Sequence, residues 1–246
     1  MTNAEHKIAR VPRPAALGVL GGMGPRATHY FTEALLAAIE ARHRPEKDQD
    51  YPNIFVRYAC DIPDRTLSLI TETDREHLFD LIAREAEILL ELGCEKLVMP
   101  CITTHAALDS RLSQLPFIDV RSIVAAQVAS SFPTARVGVL ATSGARLSHA
   151  VDKLVPKSQS AICLDSEDER RLMAFIYGQA KTWRAERDVS VLDDLADKLR
   201  QRGCDLIVAG CTEVEMCLAR SPRQDTTIVL PLRSVAEFYA TTWSLR

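Results

Sequence analysis

Apolar residues in this chain gather into short continuous runs, with longer amphipathic stretches between them. The run ALGVLGG begins at Ala16 and ends in glycines, and a helical stretch from about Pro25 to Ala41 follows it. NIFVRYA (53–59), KLVMP (96–100), PFIDV (116–120), RVGVLAT (136–142), SAICL (160–164), LIVAG (206–210) and the later run TIVLPL have the same strand-like character. Between them, residues 75–92 place Leu78, Leu81, Ile82, Glu85 and Ile88 on one helical face, and further helices are expected at about 167–183 and 190–202. Strands that are apolar throughout and alternate with helices predict an α/β protein with mainly parallel sheets covered on both faces. Residues 1–13 carry charges without periodicity and read as a flexible tail.

An internal echo divides the chain. Gly18-Val19-Leu20, followed by Gly21, Gly22 and Gly24, returns as Gly138-Val139-Leu140 followed by Gly144. Gly93-Cys94-Glu95 ahead of LVMPCIT returns as Gly203-Cys204-Asp205 ahead of LIVAGCTE. From the glycine to the second cysteine the interval is eight residues in both copies, Gly93 to Cys101 and Gly203 to Cys211. Matches in the same order predict two copies of one α/β unit, each running helix, glycine turn, strand, cysteine.

Cys101 and Cys211 each fall where an apolar strand ends, and open parallel sheets bind ligands beyond the carboxyl ends of their strands. A thiol there, ahead of a helix start, meets backbone N–H groups that favour thiolate. Two such thiols facing one cleft would offer one acid/base group to each face of a bound carbon. Cys60, Cys94, Cys163, Cys204 and Cys217 read as packing residues. His105, four residues after Cys101, leaves a Cys–His nucleophile pair open, but that pair gives Cys211 no role. Without C-x2-C or H-E-x-x-H, no metal site is expected. The turn GGMGP is neither G-x-G-x-x-G nor a Walker sequence. It reads as a tight strand-to-helix turn, or as backbone N–H groups that receive a carboxylate.

Composition narrows the classes. The 246 residues include 33 acidic and 30 Lys+Arg side chains, for a net charge of −3, which gives no bulk reason to bind nucleic acid or an anionic membrane. No apolar run approaches a membrane span. Seven cysteines, an odd number, after a polar start without a secretory pattern predict reduced thiols and a cytoplasmic protein.

Four ordered motifs resemble the cofactor-independent aspartate/glutamate racemase superfamily, aspartate racemases in particular. They are Gly21-Gly22-Met23-Gly24-Pro25-Arg26-Ala27-Thr28, Ile62-Pro63-Asp64-Arg65-Thr66, Met99-Pro100-Cys101-Ile102-Thr103 and Ala209-Gly210-Cys211-Thr212-Glu213. The likeness continues through Ala141-Thr142 and Gly178-Gln179-Ala180-Lys181. It implies two pseudo-symmetric domains with the active site in the cleft between them. The first would be 14–117 plus 225–246 and the second 118–224, in a homodimer that uses no cofactor. It implies that Cys101 and Cys211 exchange the Cα proton of an amino acid, with Thr103 and Thr212 on the α-carboxylate. Glu213 would lie near the amino group or orient Cys211, and Arg65 and Lys181 would take the side-chain carboxylate of aspartate. Gly22, Met23 and Ile102 complete the candidate set. Ile102 stands where the family's usual wording has Asn, and losing that amide points towards a different or broader substrate range. A glutamate or broad-specificity racemase, a decarboxylase or isomerase of a small dicarboxylate on the same fold, and a non-catalytic amino-acid-binding protein are the alternatives.

Overall fold

The computed structural model describes residues 16–182 and 187–244; the tail expected over 1–13 lies outside them. The first unit runs β1 (Ala16–Gly21), α1 (Pro25–His43), β2 (Asn53–Tyr58), α2 (Arg65–Ser68), α3 (Glu72–Glu91) and β3 (Cys94–Val98). After a 3-10 segment at Thr103–Asp109 comes α4 (Val120–Ser131). The second unit runs β4 (Val137–Val139), α5 (Ser143–Leu147), a 3-10 segment at Ala150–Leu154, β5 (Ile162–Cys163) and α6 (Ser166–Phe175). It continues through a π turn at Ile176–Ala180, α7 (Ser190–Gln201), β6 (Leu206–Val208), α8 (Thr212–Leu218), β7 (Ile228–Val229) and α9 (Pro231–Thr242).

Among the described residues all strand pairings are parallel, in the orders β2-β1-β3 and β5-β4-β6-β7. Parallel strands need crossover helices, which cover both faces and leave β1 wholly buried. Helix starts follow local chemistry. Thr71 accepts from the Asp74 amide at the head of α3, Asp165 caps α6, and proline opens α1 and α9 where a missing N–H is tolerated.

The repeat has a packing cause. A side chain on Gly18 would meet Leu97 and the Cys94 sulfur, and one on Gly138 would meet Ile207 and the Cys204 sulfur. The bare central strand of each sheet is what lets its neighbour's cysteine and aliphatic residue close the core there.

The run PFIDV forms no strand. Phe117 makes a single bridge to Leu97, because Asp119 caps α4 one residue before Val120 and ends the extended segment. This bridge lies beside β3 as β7 lies beside β6, so it is the first unit's version of that strand. Of the stretch expected as one helix over 167–183, the described residues form α6 followed by the π turn, and α3 starts earlier than the sequence pattern, at Glu72. Along α3 the buried line runs through Leu78, Ile82, Glu85 and Leu89, leaving Ile88 exposed.

The described part of the segment 225–246 makes contacts with both units. Its strand β7 is hydrogen-bonded to β6 in the second sheet, where Ile207 and Ala209 donate to Thr227 and Val229. Only its helix α9 crosses over to pack on α1, while α4 leaves the first sheet and packs on the 3-10 segment of the second unit. α4 and α9 pack on each other where they cross. One apolar core therefore runs from Leu17, Val19 and α1 through both crossing helices into the second sheet. A second core fills the space between the other face of β1 and α3.

Candidate functional site

Cys101 and Cys211, from equivalent points of the two units, line one small cavity with Met23, Arg65, Thr66, Ile102, Thr103, Thr142, Lys181, Thr212 and Glu213. Its volume is about 10 Å³, room for no more than a water molecule. Both sulfurs belong to buried residues. The sequence-based candidates meet here with one exception. Gly22 does not line the cavity: its φ of +91° turns the chain against the Ala59 backbone, and its N–H donates to Thr28 Oγ1 at 3.0 Å. Thr66 and Thr142 lie within the motifs already noted, yet spacing alone gave them no role in the cleft.

Cys101 sits behind Pro100 at the head of the 3-10 segment. Its carbonyl accepts from the Thr104 hydroxyl at 2.7 Å and from His105 Nδ1 at 2.8 Å. His105 Nε2 accepts from the Val120 amide at 3.4 Å, so the ring ties the cysteine turn to the start of α4. Burial pushes the His105 pKa down to about 4, which keeps the ring neutral. The ring bonds the Cys101 backbone and not its sulfur, which removes the geometry of a Cys–His nucleophile pair. Arg121, fully buried on α4, steadies the far end of this segment through paired bonds to Asp109 and Asp119 at 2.8–2.9 Å.

Cys211 occupies the N-cap position of α8 without a side-chain capping hydrogen bond, and the nearby amides of Val214 and Glu213 favour its thiolate. Its thiol donates to Glu213 Oε2 at 3.3 Å, and the Thr212 hydroxyl donates to the same oxygen at 3.1 Å. Burial and then the Glu213 carboxylate raise the Cys211 pKa well above the ordinary thiol range, outweighing both amides and Lys181. The helix start therefore does not make this sulfur a thiolate in the closed cavity, contrary to the expectation from position alone. Glu213 Oε1 is buried with no hydrogen-bond partner among the described residues. It lies so close to Gly24 that a side-chain carbon there would come within 2.8 Å. Four residues after Cys211, where the other unit has His105, Glu215 accepts from the Leu232 and Arg233 amides at 2.7 and 3.1 Å. It thus holds the start of α9 as His105 holds the start of α4. Burial raises the Glu215 pKa to about 7.

Two cations complete the site. Arg65 donates to the carbonyls of Pro63 and Met23 at 3.1 and 3.0 Å. Burial works against its charge, but Cys101, Glu213 and Asp64 outweigh it and raise the pKa. Lys181 Nζ stands 3.5 Å from Asp64 and 4.6 Å from the centre of the Tyr177 ring. Burial opposes its charge too, and Glu213, Tyr177 and Asp64 overcome both burial and Arg65. Thr103 and Thr142 join hydroxyls at 3.0 Å from opposite units. Among the described residues there is no cluster of His, Cys, Asp and Glu arranged to hold a metal ion, and no helix long and apolar enough to cross a membrane.

Two α/β units with a thiol from each in one buried, cation-lined cavity define a two-domain fold that is found in solved racemases. The aspartate racemase of Picrophilus torridus superposes with a TM-score of 0.72 at 20% identity, over 95% of this chain and 96% of that one. The profile of the family Asp/Glu/Hydantoin racemase matches residues 20–237, and the chain belongs to that family of isomerases. The broad specificity amino-acid racemase RacX of Bacillus subtilis (strain 168) is 21% identical over 91% of this chain and 98% of its own length. A glutamate racemase of Pseudomonas paraeruginosa is 29% identical over 57% of this chain, so the match spans 54% of that relative.

Proposed function

We propose that the protein racemises aspartate or a related acidic amino acid without a cofactor, by Cα proton exchange between Cys101 and Cys211. The observation that carries this reading is the meeting of both thiols in one cavity with Arg65, Lys181 and the unpartnered oxygen of Glu213. In one direction Cys101, as thiolate with Arg65 beside it, takes the Cα proton. The Cys211 thiol gives its own proton to the opposite face of the planar carbanion. In the other direction Cys211 must first lose its proton, and Glu213 Oε2 is the base within reach of it.

Glu213 Oε1 suits the substrate ammonium, because a buried carboxylate oxygen without a donor is an expensive vacancy that a cation relieves. The Thr103 and Thr212 hydroxyls suit the α-carboxylate, and Arg65 and Lys181 suit a second carboxylate. Met23 and Ile102 give the cavity apolar walls. Ile102 also supports the second reading, a broader substrate range, since it offers no hydrogen bond to any one side chain. The same resemblance carries a homodimer, which sedimentation velocity checks, while the odd number of cysteines supports a reducing, cytoplasmic setting.

The deciding experiment is proton NMR in heavy water with separate L- and D-amino acids, and with maleate as a control dicarboxylate. Loss of the aspartate Cα signal together with appearance of the other enantiomer is expected. Conversion of maleate without any Cα exchange would replace racemisation with isomerisation. Ligand-induced thermal stabilisation with no exchange in any amino acid would leave only a binding protein.

A further inference from the structure

The cavity around the two thiols is far too small for any amino acid, so the cleft must open before substrate enters. Among the described residues, ties between the units cross it at three places. Thr103 and Thr142 bond inside the cavity. At its wall, Gly144 on α5 lies against α2 so closely that a side-chain carbon would come within 2.7 Å of the Thr66 Cα. At its outer edge, Asp64 of the first unit faces the π turn of the second. The Tyr177 hydroxyl reaches both oxygens of Asp64, at 2.9 and 2.8 Å, and Lys181 stands beside the same carboxylate. The π turn is what brings these two side chains to one place. Lys181 N–H bonds Ile176 five residues back, and its Nζ rests over the Tyr177 ring. Asp64 is meanwhile fixed by capping α2 through the Leu67 amide at 3.0 Å, so the helix that carries Arg65 moves with it.

We infer that Asp64, Tyr177 and Lys181 form a latch that holds the empty cleft shut, and that its release, carrying α2 and Arg65 away from the π turn, is the opening step that admits substrate. The latch rests on the reading above only for where the substrate goes. Asp64 is the counter-ion of Lys181 in the shut state, so a substrate carboxylate reaching Lys181 takes the place of Asp64. Tyr177 is a positioning residue: it holds Asp64 and touches no reacting atom.

The chain's own cysteines report on this. Cys60 is exposed, Cys101 and Cys211 are buried in the cleft, and Cys94 and Cys204 are buried beneath the sheets. The reduced full-length protein is treated with iodoacetamide, and alkylation of each cysteine is followed by mass spectrometry in wild type, Y177F and D64N. Asparagine still caps α2, so D64N removes the charge and keeps the helix start. In both variants Cys101 and Cys211 should react roughly tenfold faster relative to Cys60, the population change from losing one hydrogen bond to a carboxylate. Cys94 and Cys204 should stay slow. Unchanged Cys101 and Cys211 rates in both variants would overturn the latch, as would equal acceleration of all four buried cysteines, which signals loosening of the whole fold. The readout needs no turnover. Accelerated alkylation in a protein without Cα exchange removes the racemase reading alone, and exchange with unchanged alkylation removes the latch alone.

Discussion

Cys101 and Cys211 occupy the same place in the repeat, yet their surroundings have little in common. Cys101 is fixed through its backbone, with Thr104 and His105 on its carbonyl and a guanidinium nearby. Cys211 is fixed through its sulfur, which bonds a carboxylate and is held protonated. The same asymmetry recurs four residues on, where a neutral histidine and a buried carboxylate hold the starts of α4 and α9. Duplication of a unit supplies two thiols at one junction, and divergence of the residues around them makes one a natural acid and leaves the other beside a cation. A two-base exchange needs that inequality, because one sulfur must carry a proton when the other does not.

The largest expected effect tests the pair itself. C101A and C211A should each lower racemisation by roughly 10²–10⁴-fold, the usual contribution of a general acid or base. Each variant should still exchange the Cα proton of one enantiomer in heavy water, and the two variants should retain opposite enantiomers. Full racemisation by either would abolish the distinction between the halves.

Next in size is stability against pH, in which the two companions oppose each other. The His105 pKa is about 4 when folded and near 6.5 when unfolded, so its contribution is present above pH 6.5 and is lost as pH falls through 4. Glu215 is the reverse: its pKa rises from 4.5 to about 7, so its contribution is present below pH 4.5 and is lost as pH rises through 7. Each amounts to roughly 3 kcal/mol over its window. Between pH 4.5 and 6.5 the two slopes cancel in the wild type. E215Q should therefore melt higher as pH rises over that range and H105Q lower, which calorimetry across a pH series reads directly. Parallel slopes in the two variants would refute the opposition.

A smaller effect isolates the sulfur environments. E213Q removes a carboxylate that raises the Cys211 pKa, so the pH at which iodoacetamide begins to modify Cys211 should fall, while turnover drops because the relay base is lost. An unmoved Cys211 profile would show that burial alone sets this thiol. Smallest is I102N. Returning an amide beside Cys101 should lower KM for acidic amino acids by a few-fold, the worth of one hydrogen bond. An equal change for neutral amino acids would mean that position 102 does not discriminate between side chains.

Much of this arrangement was legible along the chain, for physical reasons. Parallel strands buried on both faces must be apolar throughout, and the runs at β1, β3, β4 and β6 stand out on that account. The glycine–cysteine echo was readable because Gly18 and Gly138 admit Cys94 and Cys204 into the space where a side chain would otherwise sit. The residues singled out along the chain, Gly22 apart, line one cavity. The misreadings have causes too. PFIDV has strand composition, but Asp119 starts a helix within it. Asp64 and Tyr177 are 113 residues apart and carry no spacing signal, so nothing local marks them as partners.

By itself the sequence determined the fold class, the duplication and the two thiols at strand ends, because each follows from periodicity and from interactions between near neighbours. Tertiary structure decided the rest. It sent α9 back to the first unit while leaving β7 in the second sheet, since backbone pairing and helix packing answer to different neighbours. It closed the cleft with Asp64, Tyr177 and Lys181. It also set the protonation of Cys211, His105 and Glu215, because burial is a property of the whole fold and dominates all three shifts.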